Sequence, residues 1–256
     1  MPSLLLISQR FADHRIWADI PAQLSGISEI IFYELREAGG SGLSPVLDEI
    51  RQLVPTDRGG FAVVAGASDA ARPATEVALA GLANGLVLFQ PTMDGIPEEL
   101  ESIDFSGLEE QLRLYAPLVA AADEPDPARW HDVVADVVDQ AIGAHLAAPD
   151  AALVRDVISS HARELQREIQ RMIAAHARGE ERAVPAEGER WIDWLRRLTV
   201  PVAIVSTRSA WWAAEVLAPR APRGEAFLAR GDAGLPWLED RDTTIAVLTG
   251  MVGRCR

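Results

Sequence analysis

The run Gly66-Ala67-Ser68-Asp69-Ala70 holds the residues with the clearest chemical prospect. It lies between an apolar, strand-type run at 61–65 and an Ala-rich helical run at 69–83. A tight strand-to-helix turn presents its side chain at the C-terminal edge of a sheet, and small neighbours let the turn close. Ser68 is therefore a candidate nucleophile. Asp69 and the helix N-terminus offer backbone N–H groups to a developing oxyanion. A serine hydroxyl is a weak nucleophile without an adjacent base, so the acid–base groups decide what this turn can do.

The inventory of such groups is narrow. All 24 basic residues are Arg. Without lysine there is no Schiff base, no pyridoxal phosphate attachment and no Walker-type phosphate loop. The histidines are His14, His131, His145, His161 and His176, and no two have the i, i+4 spacing of a helical metal site. A single cysteine, Cys255, forms no internal disulfide and leaves no Cys/His zinc cluster. No metal and no cofactor are expected. The net charge of −14 repels phosphate backbones and anionic lipid, so neither nucleic acid nor membrane is an expected partner. The apolar start at 4–7 has no basic residue before it and Gln9-Arg10 directly after it, too short for a signal or a span. A cytoplasmic chain, monomeric or homodimeric, is expected. The Ala- and Arg-rich, Lys-free composition matches a GC-rich bacterial genome.

The elements that must position Ser68 follow from hydrophobic periodicity. Strands are expected at 4–7, 29–34, 61–65 and 85–89, with helices at 17–24, 46–54 and 69–83 between them. Continuous apolar strands separated by helices predict an α/β fold with a mostly parallel sheet, flanked by helices. From about 95 to 198 no strand is expected, only helical stretches at 128–147 and 151–178 punctuated by Pro125, Pro127, Pro149 and Pro185. The βα rhythm then resumes, with strands at 200–205 and 225–229 and helices at 210–217 and 242–251. The division is a core of 1–94 plus 199–256 and a helical insertion of 95–198.

With these segments in place the chain resembles the α/β-hydrolase superfamily nearly end to end. LLLISQRFADHRIWADIPAQL is similar to the family's strand, oxyanion loop and first helix, and IIFYELREAGGSG to its D-x-R-G-x-G-x-S segment. NGLVLFQP resembles the strand after the elbow helix, and LTVPVAIVSTRS the strand before the catalytic acid. ARGDAGLPWLEDRDTTIAVLTGM resembles the closing segment that holds the catalytic histidine. The insertion falls where the family's cap falls. The short start resembles the methylesterase and hydroxynitrile lyase branch.

Carried over residue by residue, the resemblance implies a degenerate triad. Aligned on Trp17, the oxyanion HG becomes Ser8-Gln9, with the oxyanion amide on Arg10. The acid becomes Ser209, and, aligned on Pro236, the histidine becomes Gly234, or Ala233 with a one-residue shift. Ser68 alone remains. Asp232, close to the lost histidine site, is the candidate acid or base if an apolar pocket encloses it; the alternative is a solvated turn. Asp94 stands where some lipases carry their acid, or else caps the first cap segment. Trp211, Trp212 and Trp237 either wall a pocket for a flat ligand or pack as core. Arg10 and Arg208 are candidates to hold a carboxylate or enolate oxygen, and His14 to face the pocket.

Three functions follow. The first is a non-hydrolytic enzyme of lyase, cyclase or isomerase type, acting on an enolisable or polyketide-like small molecule of bacterial secondary metabolism in a core/cap pocket. The second is a non-catalytic pseudo-hydrolase that binds a ligand or partner. The third is a serine esterase in which Ser68 works with Asp94 and a cap histidine.

Overall fold

The computed structural model describes residues 2–35, 44–54, 59–92, 106–178 and 191–255. The chain divides into two compact units, Met1–Met93 with Glu189–Arg256, and Asp94–Gly188.

The first unit is built on six parallel strands: β1 (Ser3–Ser8), β2 (Glu29–Glu34), β3 (Val63–Ala67), β4 (Leu86–Phe89), β5 (Val202–Ser206) and β6 (Gly224–Leu228), in the order β2-β1-β3-β4-β5-β6. Every residue of β1, β3, β4 and β5 is buried, which is why those strands read as unbroken apolar runs. The edge strands β2 and β6 are partly open. Parallel pairing needs crossovers, and helices supply them. The helices of this unit are α1 (Ile20–Gln23), α2 (Ser44–Leu53), α3 (Ala71–Leu79), α8 (Trp191–Trp194), α9 (Trp211–Leu217), α10 (Pro236–Glu239) and α11 (Arg241–Arg254).

Two helices show why the sheet faces are covered as they are. In α3, Ala71, Ala74, Val77 and Ala78 are buried, and their small size lets the helix lie close to β3. In α11, Thr244, Val247, Leu248, Met251 and Val252 recur at helical spacing and form the buried stripe. A third core group is aromatic: Trp17 lies 5.4 Å from Trp237 and 5.7 Å from Phe89 between ring centroids.

The described residues of the second unit hold four helices and no strand: α4 (Ser106–Ala120), α5 (Pro127–Ile142), α6 (Ala148–Ser160) and α7 (Ala162–Ala177). Asp126 caps α5 by accepting from the Ala128 N–H, and Pro127 sits at its first position. Trp130 is buried and donates its indole N–H to the Ala162 carbonyl at 2.6 Å. The single helix expected over 151–178 is two. At the break, the Ser160 hydroxyl donates to the Val157 carbonyl at 2.6 Å and the His161 ring lies 3.0 Å from it. Side chains that take up helix carbonyls compete with the backbone ladder.

Other expectations moved at their ends. The helix expected at 17–24 is a 3-10 turn at His14–Trp17 followed by α1. The third strand, expected at 61–65, runs from Val63 to Ala67, so Gly66 lies inside it. No described helix is long and apolar enough to cross a membrane.

Candidate functional site

All six strands are parallel, so their C-terminal ends meet at one edge, where open α/β sheets place their ligands. The segments leaving that edge are Gln9-Arg10 after β1, Ser68-Asp69 after β3, Gln90 after β4, Thr207–Ser209 after β5 and the loop 229–235 after β6.

Ser68 occupies the turn that its neighbours imply. Its φ is 52°, a left-handed conformation that a side chain adopts only under constraint. The constraint is close packing of β3 on α3. A Cβ on Gly66 would collide with the Ala70 carbonyl oxygen and come within 2.8 Å of the Ala74 methyl. Ala67 and Ala70 are fully buried, and the small residues on either side of Ser68 let the strand turn directly into the helix. Ser68 is half-buried, and no described residue hydrogen-bonds its hydroxyl.

The oxyanion region contains a carboxylate. The Arg10 backbone N–H donates to Asp69 Oδ1 at 3.1 Å, and Arg10 Nε donates to Asp69 Oδ2 at 2.6 Å. The Arg10 amide, assigned to the oxyanion by the family alignment, is therefore held by the residue after Ser68. Ser8 is fully buried, and its hydroxyl accepts from the Trp17 indole at 3.2 Å and donates to the Asp13 carbonyl at 3.3 Å. That hydroxyl ties the loop after β1 and does not face a ligand. Gln9 is half-buried.

The β4 end carries a residue that sequence reasoning missed. Gln90 has φ 45°, also left-handed. Its Oε1 accepts from the Thr207 N–H at 3.1 Å and from the Thr207 hydroxyl at 3.4 Å. Thr207 Oγ1 in turn lies 3.0 Å from Ser209 Oγ. The last β3–β4 pair is Ala67 with Phe89, so Ser68 and Gln90 are the next residues on adjacent strands. Both bend into positive φ at the same level. The signal in the sequence was the polar residue closing the apolar run LVLFQP, which the family pattern passes over.

The loop after β6 is shaped by Glu239. Its carboxylate accepts the backbone N–H groups of Asp232 at 2.6 Å, Ala233 at 2.7 Å and Leu235 at 2.9 Å. Gly231 has φ 109°, and a Cβ there would collide with that carboxylate. Gly234 has φ 76°, and a Cβ there would lie 3.5 Å from Gln90 Nε2. Asp232 is exposed, which fits the solvated turn of the two alternatives and not the apolar enclosure that an acid–base role requires. Beside the loop, the Asp240 carboxylate takes the Arg230 N–H at 2.9 Å and Arg230 Nη2 at 2.9 Å, and caps α11 through the Thr243 N–H at 3.3 Å. The Arg230 guanidinium holds the Asp240 carboxyl well below the ordinary carboxylate range, against the opposing effect of burial.

The aromatic expectations divide. Trp237 is core, not a pocket wall: it is wholly buried and donates to the Ile16 carbonyl at 2.8 Å. Trp211 and Trp212 are half-buried, and Trp211 donates to Glu215 Oε1 at 2.8 Å. Arg208 and Ser209 are exposed. Asp94 lies outside the described residues. His14, the one histidine of the first unit, is exposed, with its ring 3.0 Å from Glu34 Oε1. Asp13, His14 and Glu34 bring one potential ligand atom each within 4.8 Å of one another. Asp13 there is held by the Arg15 guanidinium at 2.8 Å. His131, His145, His161 and His176 belong to the second unit.

No known protein-family profile matches the chain, and no curated protein matches it. Solved structures do. MenH from S. aureus superposes with a TM-score of 0.68 at 15% identity, over 99% of this chain and 94% of that one. The hydrolase olei00960 from Oleispira antarctica gives 0.65 at 13% identity, over 99% and 91%. A thermophilic esterase from Thermogutta terrifontis gives 0.61 at 12% identity, over 100% and 90%. With its six-stranded parallel sheet, flanking helices and helical insertion, the chain has the α/β-hydrolase fold.

Proposed function

We propose that this protein has left acyl-serine hydrolysis and uses the strand-end segments around Ser68 to hold a small molecule without ester turnover. The triad positions then read Ser68, Ser209 and Gly234, with neither imidazole nor carboxylate at the last two. The observation that carries the reading is the Asp69 carboxylate on the Arg10 N–H. Oxyanion catalysis needs donors waiting at the place where negative charge develops. A carboxylate already there repels that charge and consumes a donor. Removing one such donor typically costs about 10²–10³-fold in turnover, and a missing general base a further ~10²–10⁴-fold.

A second reading keeps turnover, of lyase, cyclase or isomerase type on an enolisable small molecule. It is favoured by the strained Ser68. Holding a side chain at such a φ costs about 1–3 kcal/mol, a feature that clusters at working sites. Its discriminator is product formation that Arg10→Ala reduces more than Ser68→Ala does.

Fluorophosphonate labelling, read by intact mass on the native protein and on Ser68→Ala, tests the proposal. No adduct on folded native protein is the expected result. A stoichiometric adduct, absent from Ser68→Ala, overturns it and assigns a serine hydrolase with a base from elsewhere.

A further inference from the structure

We infer that Asn84 is a site of spontaneous deamidation, through which the folded protein acquires an isoaspartyl link at the entrance to β4. Asn84 is the only asparagine in the 256 residues, and Gly85 follows it. An asparagine carboxamide is open to attack by the backbone nitrogen of the next residue. Glycine, with no Cβ, obstructs that approach least. Three features of the fold leave the route open. Asn84 is exposed, and no described residue hydrogen-bonds its carboxamide. The Gly85 N–H, which carries the attacking nitrogen, has no acceptor among the described residues, although the Asn84 and Leu86 N–H groups donate to the Phe61 and Pro201 carbonyls at 3.1 and 3.0 Å. Gly85 is itself fixed by packing: a Cβ there would lie 2.7 Å from Cys255 Sγ, so a bulkier and slower neighbour does not fit.

The chemistry needs only water. The Gly85 nitrogen bonds to the Asn84 side-chain Cγ, the Cγ–Nδ2 bond breaks, and ammonia leaves with the proton that the Gly85 nitrogen gives up. Water then opens the cyclic imide at either carbonyl. Cleavage at the side-chain carbonyl gives aspartate, and cleavage at the main-chain carbonyl gives isoaspartate. Aspartate changes only the charge, at an exposed position. Isoaspartate also routes the main chain through the β-carbon and lengthens it by one methylene. That insertion falls between two fixed points, the Asn84 N–H on the Phe61 carbonyl and the Gly85 carbonyl that accepts the Val64 N–H at 3.0 Å. An extra backbone atom between them breaks one of the two bonds. A strand buried on both faces tolerates no slip in register, so the link weakens β4 where it enters the sheet.

The test is incubation of the native protein, Asn84→Gln and Asn84→Asp at 37 °C and pH 8, followed by intact mass and by peptide mapping. With no other asparagine in the chain, Asn84→Gln reports the slow background from glutamine. The native protein is expected to gain one mass unit at least tenfold faster than Asn84→Gln, with isoaspartate at position 84 the larger product. The isoaspartyl form, separated by chromatography, is expected to unfold at a lower urea concentration than native, and Asn84→Asp close to native. Equal rates of mass gain in native and Asn84→Gln overturn the inference, as does a product that is aspartate alone. An isoaspartyl form with the native urea midpoint overturns the effect on β4. If Asn84→Gln fails to fold, the peptide map of the native protein decides: mass gained at position 84 supports the inference, and mass gained only elsewhere overturns it.

Discussion

The Gln90 amide lies in the direction that a side chain on Gly234 would take, with Nε2 3.5 Å from the position of such a Cβ. Gly234 is also held at φ 76° by a loop whose N–H groups converge on Glu239. A β-carbon here would meet the Gln90 side chain at ordinary contact distance, so what disfavours an imidazole is the backbone conformation. Gly234→His should not restore a reactive serine. The variant should stay unlabelled by fluorophosphonate and lose about 1–2 kcal/mol in urea unfolding, because a β-carbon is strained at that φ. Stoichiometric labelling of Gly234→His would show that a single substitution had removed the activity.

Ser68 makes a backbone prediction independent of any ligand. Its φ of 52° favours glycine. Ser68→Gly should be more stable than Ser68→Ala by about 1 kcal/mol, since both lack the hydroxyl and only alanine keeps the strained β-carbon. Paired thermal or urea midpoints decide this, and an equal or reversed order would mean the turn is not strained.

Gln90 serves Thr207 before it serves any ligand. Gln90→Leu removes the acceptor of the buried Thr207 N–H and should cost about 1–3 kcal/mol. Gln90→Glu keeps an acceptor oxygen and should recover much of that loss at neutral pH. Two urea curves settle the point: similar losses in both variants would show that the hydrogen bond does not stabilise the fold.

Asp240 sets an acid limit. Its carboxyl is depressed in the folded protein by the Arg230 guanidinium. Stability from a depressed carboxylate is full above the unfolded value of about 3.9 and is lost as pH falls toward the folded value. Asp240→Asn removes the charge and weakens the α11 cap, so it should cost about 1–2 kcal/mol at pH 7. The difference from native should shrink as pH drops below about 4. Unfolding midpoints at pH 7, 5 and 3 check the sign, and a gap that widens on acidification would contradict it.

Much of this protein was legible in its sequence because the information is local. Fully buried parallel strands are largely apolar, so LLLI, FAVVA, GLVLF and VPVAIV marked the four central strands, with their ends a few residues off. The turn at Ser68 was readable for a similar reason: only small residues at 66, 67 and 70 let a strand turn straight into a helix. Helix ends were less so, as at Ser160-His161, where side-chain bonds to one carbonyl split a continuous apolar periodicity.

What tertiary structure alone decided concerns partners far apart in the chain. Spacing does not tell that Asp69 meets Arg10 across 59 residues, that Gln90 holds Thr207 across 117, or that Trp237 bonds Ile16 across 221. Nor does residue type separate Trp237, wholly buried, from Asp232, exposed five residues before it in the same segment. A strand or a tight turn is specified by the sterics of neighbouring residues. The chemistry of a site at the ends of parallel strands depends on which distant side chains the crossovers bring to one edge, and that is settled only when the sheet has formed.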